Sequence, residues 1–119
     1  MKRDFELIRT LLLKIEEEMR PGDWYEPIIE NVDESMINYH IKMLRDKGYI
    51  DAKDLSSKDG ISFVVTGMTM EGHDYLDTVR NNTVWEKTKK KVIDKSLDLT
   101  FDVVKTVAGQ IINQTLGLS

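Results

Sequence analysis

The chain has 119 residues, enough for one compact domain with one further helix outside its core, and its 40% hydrophobic and 32% charged residues are typical of a globular protein. It contains no cysteine, which excludes disulfides, thiolate metal sites and cysteine nucleophiles. Its formal net charge of −4 weighs against a dedicated DNA-binding domain, which usually carries excess Lys and Arg, although a local basic patch can outweigh the total.

The beginning of the chain, MKRDFE, is charged and is not followed by the uninterrupted apolar segment of a secretory signal. No apolar run approaches the roughly 20 residues that cross a bilayer. We therefore expect a cytoplasmic location.

The segment from Asp4 to Met19 predicts an amphipathic helix that ends before Pro21 and Gly22. Apolar residues recur at alternating spacings of three and four, which is one stripe of a 3.6-residue period. The stripe consists of Phe5, Ile8, Leu12, Ile15 and Met19.

The next stretch, up to Val32, is predicted to be a connection with one short strand near Ile28. Because Pro27 lacks a backbone N–H, that strand would lie at a sheet edge. Trp24 and Tyr25 in the same stretch can either cover a small core or form a recognition surface, and covering the core is the favoured interpretation.

A second helix is predicted from Asp33, its N-cap, to Lys47, and Gly48 ends it. Its inward stripe consists of Ile37, Ile41 and Leu44. The opposite face is predicted to carry four polar residues able to contact base edges or phosphates, or simply to be solvated. These residues are Ser35, Asn38, Lys42 and Arg45.

Two antiparallel strands, Tyr49–Lys53 and Ile61–Thr66, are predicted on either side of a turn-rich segment that would form a wing. The wing contains more Asp than Lys, which is unfavourable for DNA contact. Thr69 is predicted to cap a third helix that begins at Met70, and Gly72 within it is expected to permit close packing.

The segment after residue 80 predicts two more helices. Thr83 and Glu86 form a possible capping box for the first of them, which is rich in lysine. Lys87, Lys90 and Lys91 on this helix can contact an anionic partner or form a solvated face.

The last segment, Ser96 to Leu118, is unusually apolar for the end of a chain. Its stripe must be covered by its own chain, by a second copy or by another partner, because an exposed stripe favours aggregation. We expect a homo-oligomer or a protein partner at this helix. The candidate self-association residues are Phe101, Val104, Ala108, Ile111 and Leu116.

The sequence provides no catalytic, metal-binding or cofactor-binding signature. His40 and His73 each lack a second ligand at metal spacing, and no phosphate-binding glycine loop or nucleophile elbow occurs. We predict that the protein is not an enzyme and uses no cofactor.

Together these elements predict an α+β fold. It is a winged-helix-like domain (helix, short strand, helix, two-stranded wing, helix) over residues 1–80, followed by a C-terminal helical extension over residues 81–119. The predicted function is protein interaction or self-association. The alternative is a DNA-binding transcriptional regulator that reads duplex DNA with the helix of residues 33–47.

Four stretches carry a family resemblance: KRDFELIRTLLLKIEE, INYHIKMLRDKGYID, TMEGHDYLDTVRNNTVWEKTK and SLDLTFDVV. In order and spacing they resemble a family of small, uncharacterised bacterial and prophage proteins, a domain of unknown function. The resemblance implies a winged-helix-like fold and a phage-related context, but no set of functional residues. The short separation of Met19 from Asp33 departs from a standard helix-turn-helix, because it leaves little room for a helix before the recognition helix.

Overall fold

A computed structural model describes residues 2–117, which form five helices and one two-stranded antiparallel sheet. This confirms the predicted α+β class and is consistent with a winged-helix-like arrangement followed by C-terminal helices. The predicted end of the last segment, Leu118, lies outside the described residues. The elements are α1 (Phe5–Glu18), α2 (Glu34–Lys47), β1 (Ile50–Asp54), β2 (Phe63–Met68), α3 (Met70–Val79), α4 (Asn82–Asp94) and α5 (Phe101–Thr115).

The chain divides into two compact units, the first ending at His73 and the second beginning at Asp74. The division therefore falls inside α3. The boundary predicted from sequence, after residue 80, lies just beyond the end of the same helix.

In the first unit, α1 packs against α2 and β2, and α2 packs against both strands. The N-terminus of α1 is held by the buried His40 of α2, whose Nε2 accepts a hydrogen bond from the Asp4 backbone N–H at 2.8 Å. The other ring nitrogen, Nδ1, is 2.8 Å from the Met36 carbonyl oxygen and donates to it, which fixes the neutral tautomer. His40 is thus a structural residue that joins two helices.

The turn between α2 and β1 is very short. Gly48 ends α2 with φ of +85°, a left-handed conformation that glycine adopts without a Cβ penalty, and β1 begins two residues later. β1 then pairs with β2 from Ile50 opposite Met68 to Asp54 opposite Phe63. The C-terminal end of α2 therefore leads directly into the hairpin.

The connection between α1 and α2 differs from the prediction. No strand forms near Ile28, whose side chain is 81% exposed. Instead, Tyr25 alone pairs with Val65 of β2 through two backbone hydrogen bonds of 2.9 Å each. Residues 19–33, all of which are described, contain no helix, as their short length led us to expect.

The start of α3 is packed against the turn that follows α2. The Thr69 hydroxyl accepts a hydrogen bond from the Gly72 N–H at 3.1 Å and donates to the Gly48 carbonyl at 2.5 Å. A Cβ at Gly72 would lie only 1.9 Å from the carbonyl oxygen of Tyr49. The predicted Thr69 cap and the predicted close packing at Gly72 are both confirmed.

In the second unit, α4 and α5 pack against each other. The cap of α4 is Asn81, whose side chain accepts a hydrogen bond from the Val84 N–H at 3.1 Å, so the predicted capping box at Thr83 is wrong. Thr100 caps α5 in the same way. The apolar contact between the two helices involves Val84, Val92, Leu99, Val103, Val107 and Ile111.

Candidate functional site

The polar face of α2 has three exposed members and one buried one. Ser35, Lys42 and Arg45 are exposed, as predicted. Asn38 is only 7% exposed, so its predicted place on the exposed face is wrong. Its side-chain oxygen accepts a hydrogen bond from the Phe63 N–H at 2.9 Å, and its Nδ2 donates to the Glu34 carbonyl at 3.1 Å. Asn38 therefore holds the start of β2 against α2 and is not available to a base edge.

The two cations of this face are engaged by nearby acceptors. Lys42 forms an ion pair of 2.7 Å with Asp46, one turn along the helix. Arg45 donates from Nε to the Ala52 carbonyl at 3.0 Å. The pKa of Asp54 lies below its usual value, first because Ser56 donates to its carboxylate and also because Arg45 and Lys42 are near. The positive charge of α2 is thus largely balanced by carboxylates.

The lysines of α4 do not form one uniform patch. Lys87 and Lys90 are exposed, whereas Lys91 is half-buried, with its Nζ 3.4 Å from the side-chain oxygen of Gln110 on α5. Lys89 pairs with Glu86 at 3.1 Å. The structure therefore leaves Lys87 and Lys90 as the two fully exposed candidates among the three predicted here.

Most of the apolar stripe of α5 is buried within a single chain. Four of its five predicted self-association residues, Phe101, Val104, Ala108 and Ile111, are buried, and α4 packs on this helix. Leu116 lies just beyond the end of α5 and remains 67% exposed. Self-association stays a prediction, but the stripe does not require it.

A groove of about 290 Å³ lies in the first unit between the loop of residues 26–32, the first half of α2 and the start of β2. We call it the α2 groove. Glu26 and Glu34 contribute charged side chains to its edge, and Asn38 and Ser62 also line it. Its apolar lining is formed by Pro27, Ile28, Val32, Ile37, Ile41 and Phe63.

The α2 groove combines a fixed apolar floor with an exposed apolar edge. Ile37, Ile41 and Phe63 are buried core residues that form the floor, whereas Ile28 projects into solvent. Sequence reasoning missed this site because it assigned Ile28 to a strand. The sequence PIIENV places two isoleucines after a proline, but it contains no signal that shows which isoleucine stays outside the core.

The loop that carries Ile28 is anchored on its N-terminal side by Tyr25. Besides its pairing with Val65, the Tyr25 hydroxyl donates a hydrogen bond to the Glu18 carboxylate at the end of α1. This bond is the main cause that lowers the pKa of Glu18, and Lys14 adds to it. The pKa of Tyr25 is raised, mainly because the residue is partly buried and also because its hydroxyl is bonded to the negatively charged Glu18 carboxylate.

Comparison with known proteins gives a family match to residues 2–98, which include all described residues of the first unit and the whole of α4. The family is described as "Hypothetical protein (DUF2513)". The chain belongs to this family. The predicted membership of a small domain-of-unknown-function family is thereby confirmed.

A similar sequence comes from Haemophilus influenzae and is described as "Uncharacterized protein". It is 40% identical over 117 residues, which cover 98% of this chain and 99% of the relative. No solved structure matches the chain. The α2 groove and the α2 polar face both lie within the part of the chain that matches the DUF2513 family.

The described part of this DUF2513 protein offers neither a metal-binding cluster nor a membrane-spanning helix. Within residues 2–117 no three His, Asp or Glu side chains are grouped so that they could hold a metal ion. Among the five helices described above, none has the length and apolar character needed to cross a membrane.

Proposed function

We propose that the protein is a non-enzymatic protein-interaction module that binds its partner at the α2 groove. The observation that supports this most directly is the position of Ile28, 81% exposed at the edge of a concave apolar surface. A single exposed isoleucine is ordinary on a protein surface. Beside a preformed apolar groove, however, it enlarges the surface that a partner can cover.

The side chains of the first unit favour a protein partner over a nucleic acid. Asn38, the residue of α2 best suited to read adenine, is buried and is hydrogen-bonded to the backbone of Phe63 and Glu34. Lys42 is paired with Asp46. Phosphate binding depends on cations that can replace counterions, and the groove edge presents carboxylates instead.

Photocrosslinking in cells tests this proposal. The photoreactive amino acid p-benzoylphenylalanine is introduced in place of Ile28 and, as a matched control, in place of Met70, which is 75% exposed in the same unit. We expect a discrete protein adduct from position 28 that resists nuclease and is absent from position 70. Equal labelling at both positions, or an adduct that nuclease removes, would contradict the proposal.

Duplex DNA binding is the second candidate, and one observation favours it. α2 leads directly into the β1–β2 hairpin, as a recognition helix leads into a wing, and Ser35, Lys42 and Arg45 are exposed on it. Sedimentation velocity at low salt, with and without a duplex, measures binding and oligomeric state together. If DNA is the ligand, Lys42→Glu and Arg45→Glu should each weaken it, and an unchanged sedimentation profile in the presence of the duplex would reject this candidate.

A further inference from the structure

The edge of the α2 groove is acidic. We propose that its occupant is a short apolar segment of a partner protein flanked by Lys or Arg, an inference that rests on the proposed function and adds the chemistry of the partner. The segment of residues 26–34 contains four carboxylates and no Lys or Arg. They belong to Glu26, Glu30, Asp33 and Glu34, and all four residues are exposed.

These carboxylates differ from Glu18 and Asp46 of the first unit, each of which has a cation beside it. Glu18 pairs with Lys14 at 3.2 Å and Asp46 with Lys42 at 2.7 Å. Within the described residues, none of the four carboxylates of segment 26–34 forms an ion pair. The groove therefore has an uncompensated negative edge that a cationic partner would complement.

The preference for negative charge at the N-terminus of α2 explains only some of these four carboxylates. Glu34 lies in the first turn of α2, where a negative charge suits the helix dipole. Asp33 is the N-cap, yet its side chain makes no capping hydrogen bond. Glu26 lies eight residues before the helix and lines the groove itself, so the acidic edge extends well beyond the helix terminus.

The volume and lining of the groove indicate the size and apolar character of the partner segment. A volume of about 290 Å³ with a floor of Ile37, Ile41 and Phe63 suits one or two apolar side chains rather than a whole helix face. The aliphatic stems of flanking Lys or Arg side chains can lie along Ile28 while their charged ends reach Glu26 and Glu34. An acidic segment would meet like charges at the same edge.

Defined peptides test the inference by NMR on the full-length, ¹⁵N-labelled protein. The probe is a capped hexapeptide with two leucines between pairs of lysines, and the controls replace the leucines with serines or the lysines with glutamates. We expect the probe alone, at millimolar concentration, to shift amides of residues 26–41 and 62–63. The shifts should shrink as salt is raised, because added salt screens the exposed charges at the groove edge.

Two charge-reversed double variants distinguish the effect of charge at the groove edge from the effect of the protein's net charge. Glu26→Lys with Glu34→Lys changes the groove edge, whereas Glu17→Lys with Glu71→Lys changes exposed positions outside it, and each pair brings the formal net charge from −4 to 0. Glu34 and Glu71 both lie in the first turn of a helix, so the cost to folding is matched. We expect about tenfold weaker peptide binding in the groove variant, since an exposed ion pair contributes up to roughly fivefold, and little change in the control.

Several outcomes would overturn the inference. They are equal binding of the glutamate peptide, peptide shifts confined to other surfaces, or the same affinity in both charge-reversed variants. Self-association that the groove variant alone abolishes would assign the groove to a second copy instead. If the peptides do not bind but position 28 still crosslinks to a protein, the partner chemistry is wrong while the proposed function stands.

Discussion

Substitution of Gly72 by alanine should destabilise the first unit, although alanine favours helix over glycine. In an exposed helix interior the exchange stabilises by about 1 kcal/mol. At this position the new Cβ would lie 1.9 Å from the Tyr49 carbonyl oxygen, about 1.5 Å closer than ordinary contact. The oxygen cannot rotate away as a side chain would, because it belongs to the backbone and also accepts the Thr69 N–H at 3.1 Å.

The magnitude follows from the competition between these two effects. Forced overpacking in a core costs roughly 1–3 kcal/mol and occasionally more, and a backbone clash of this size places Gly72→Ala at the upper end. After subtraction of the helix-propensity gain, the free energy of unfolding should fall by about 2 kcal/mol. Gly109→Ala is the matched control, since a Cβ there has no neighbour within 4 Å. It should raise stability by about 0.5–1 kcal/mol.

Urea unfolding followed by circular dichroism measures both variants. With a slope of roughly 2 kcal/mol per molar urea, Gly72→Ala should lower the midpoint by about 1 M. Gly109→Ala should raise it slightly. If Gly72→Ala were as stable as the original chain, the close approach of α3 to the α2–β1 turn would be refuted. If both variants were stabilised to the same extent, helix propensity alone would explain them.

Three further predictions concern other contacts. Asn38→Leu should cost about 1–3 kcal/mol in urea unfolding, because it leaves the buried N–H at the start of β2 without its acceptor. Tyr25→Phe should raise the pKa of Glu18 in carboxyl NMR titrations. The Tyr25–Glu18 hydrogen bond lowers the pKa of Glu18 from its usual value of 4.5. The contribution of this bond to stability should therefore be full above about pH 4.5 and be lost as the pH falls through the lowered pKa. Ile111→Asp should unfold the second unit by burying a charge, whereas Leu116→Asp should leave folding within about 0.5 kcal/mol.

Each of these predictions has a result that contradicts it. An unchanged urea midpoint for Asn38→Leu would mean that the strand start finds another acceptor. An unchanged Glu18 pKa in Tyr25→Phe would mean that the hydroxyl bond does not form in solution. A folded monomer produced by Ile111→Asp from a dimer would assign this side chain to an interface between copies. Loss of a dimer in Leu116→Asp would instead support self-association at the exposed end of α5.

The regular elements were readable from the sequence because their signals are local. The 3.6-residue stripes placed α1 and α2. Gly48 marked a helix end through its backbone conformation, and Thr69 marked a helix start through its side-chain hydroxyl. Gly72 was interpreted correctly because a glycine inside a helix costs stability unless something passes close to it. In each case the residue that carries the signal is also the residue that makes the contact.

The candidate site was not readable in the same way. Asn38 lies at the border of the α2 stripe, and only the packed position of β2 decides that its amide faces inward. Ile28 appeared to be a strand residue because hydrophobicity does not reveal which apolar residues stay outside the core. The apolar stripe of α5 required a cover, but only the three-dimensional arrangement shows that most of it is buried within a single chain, with α4 packed on this helix. These assignments depend on long-range neighbours that no local pattern specifies.

The single residue pair between Tyr25 and Val65 has a consequence for how the family can diversify. It fixes the connection to the sheet at one point, and the next fixed point is the start of α2 at Glu34. Between these two points the chain belongs to no helix or strand, so substitutions and length changes there disturb no regular element. Evolution can therefore alter the groove edge while the scaffold that supports the groove stays the same.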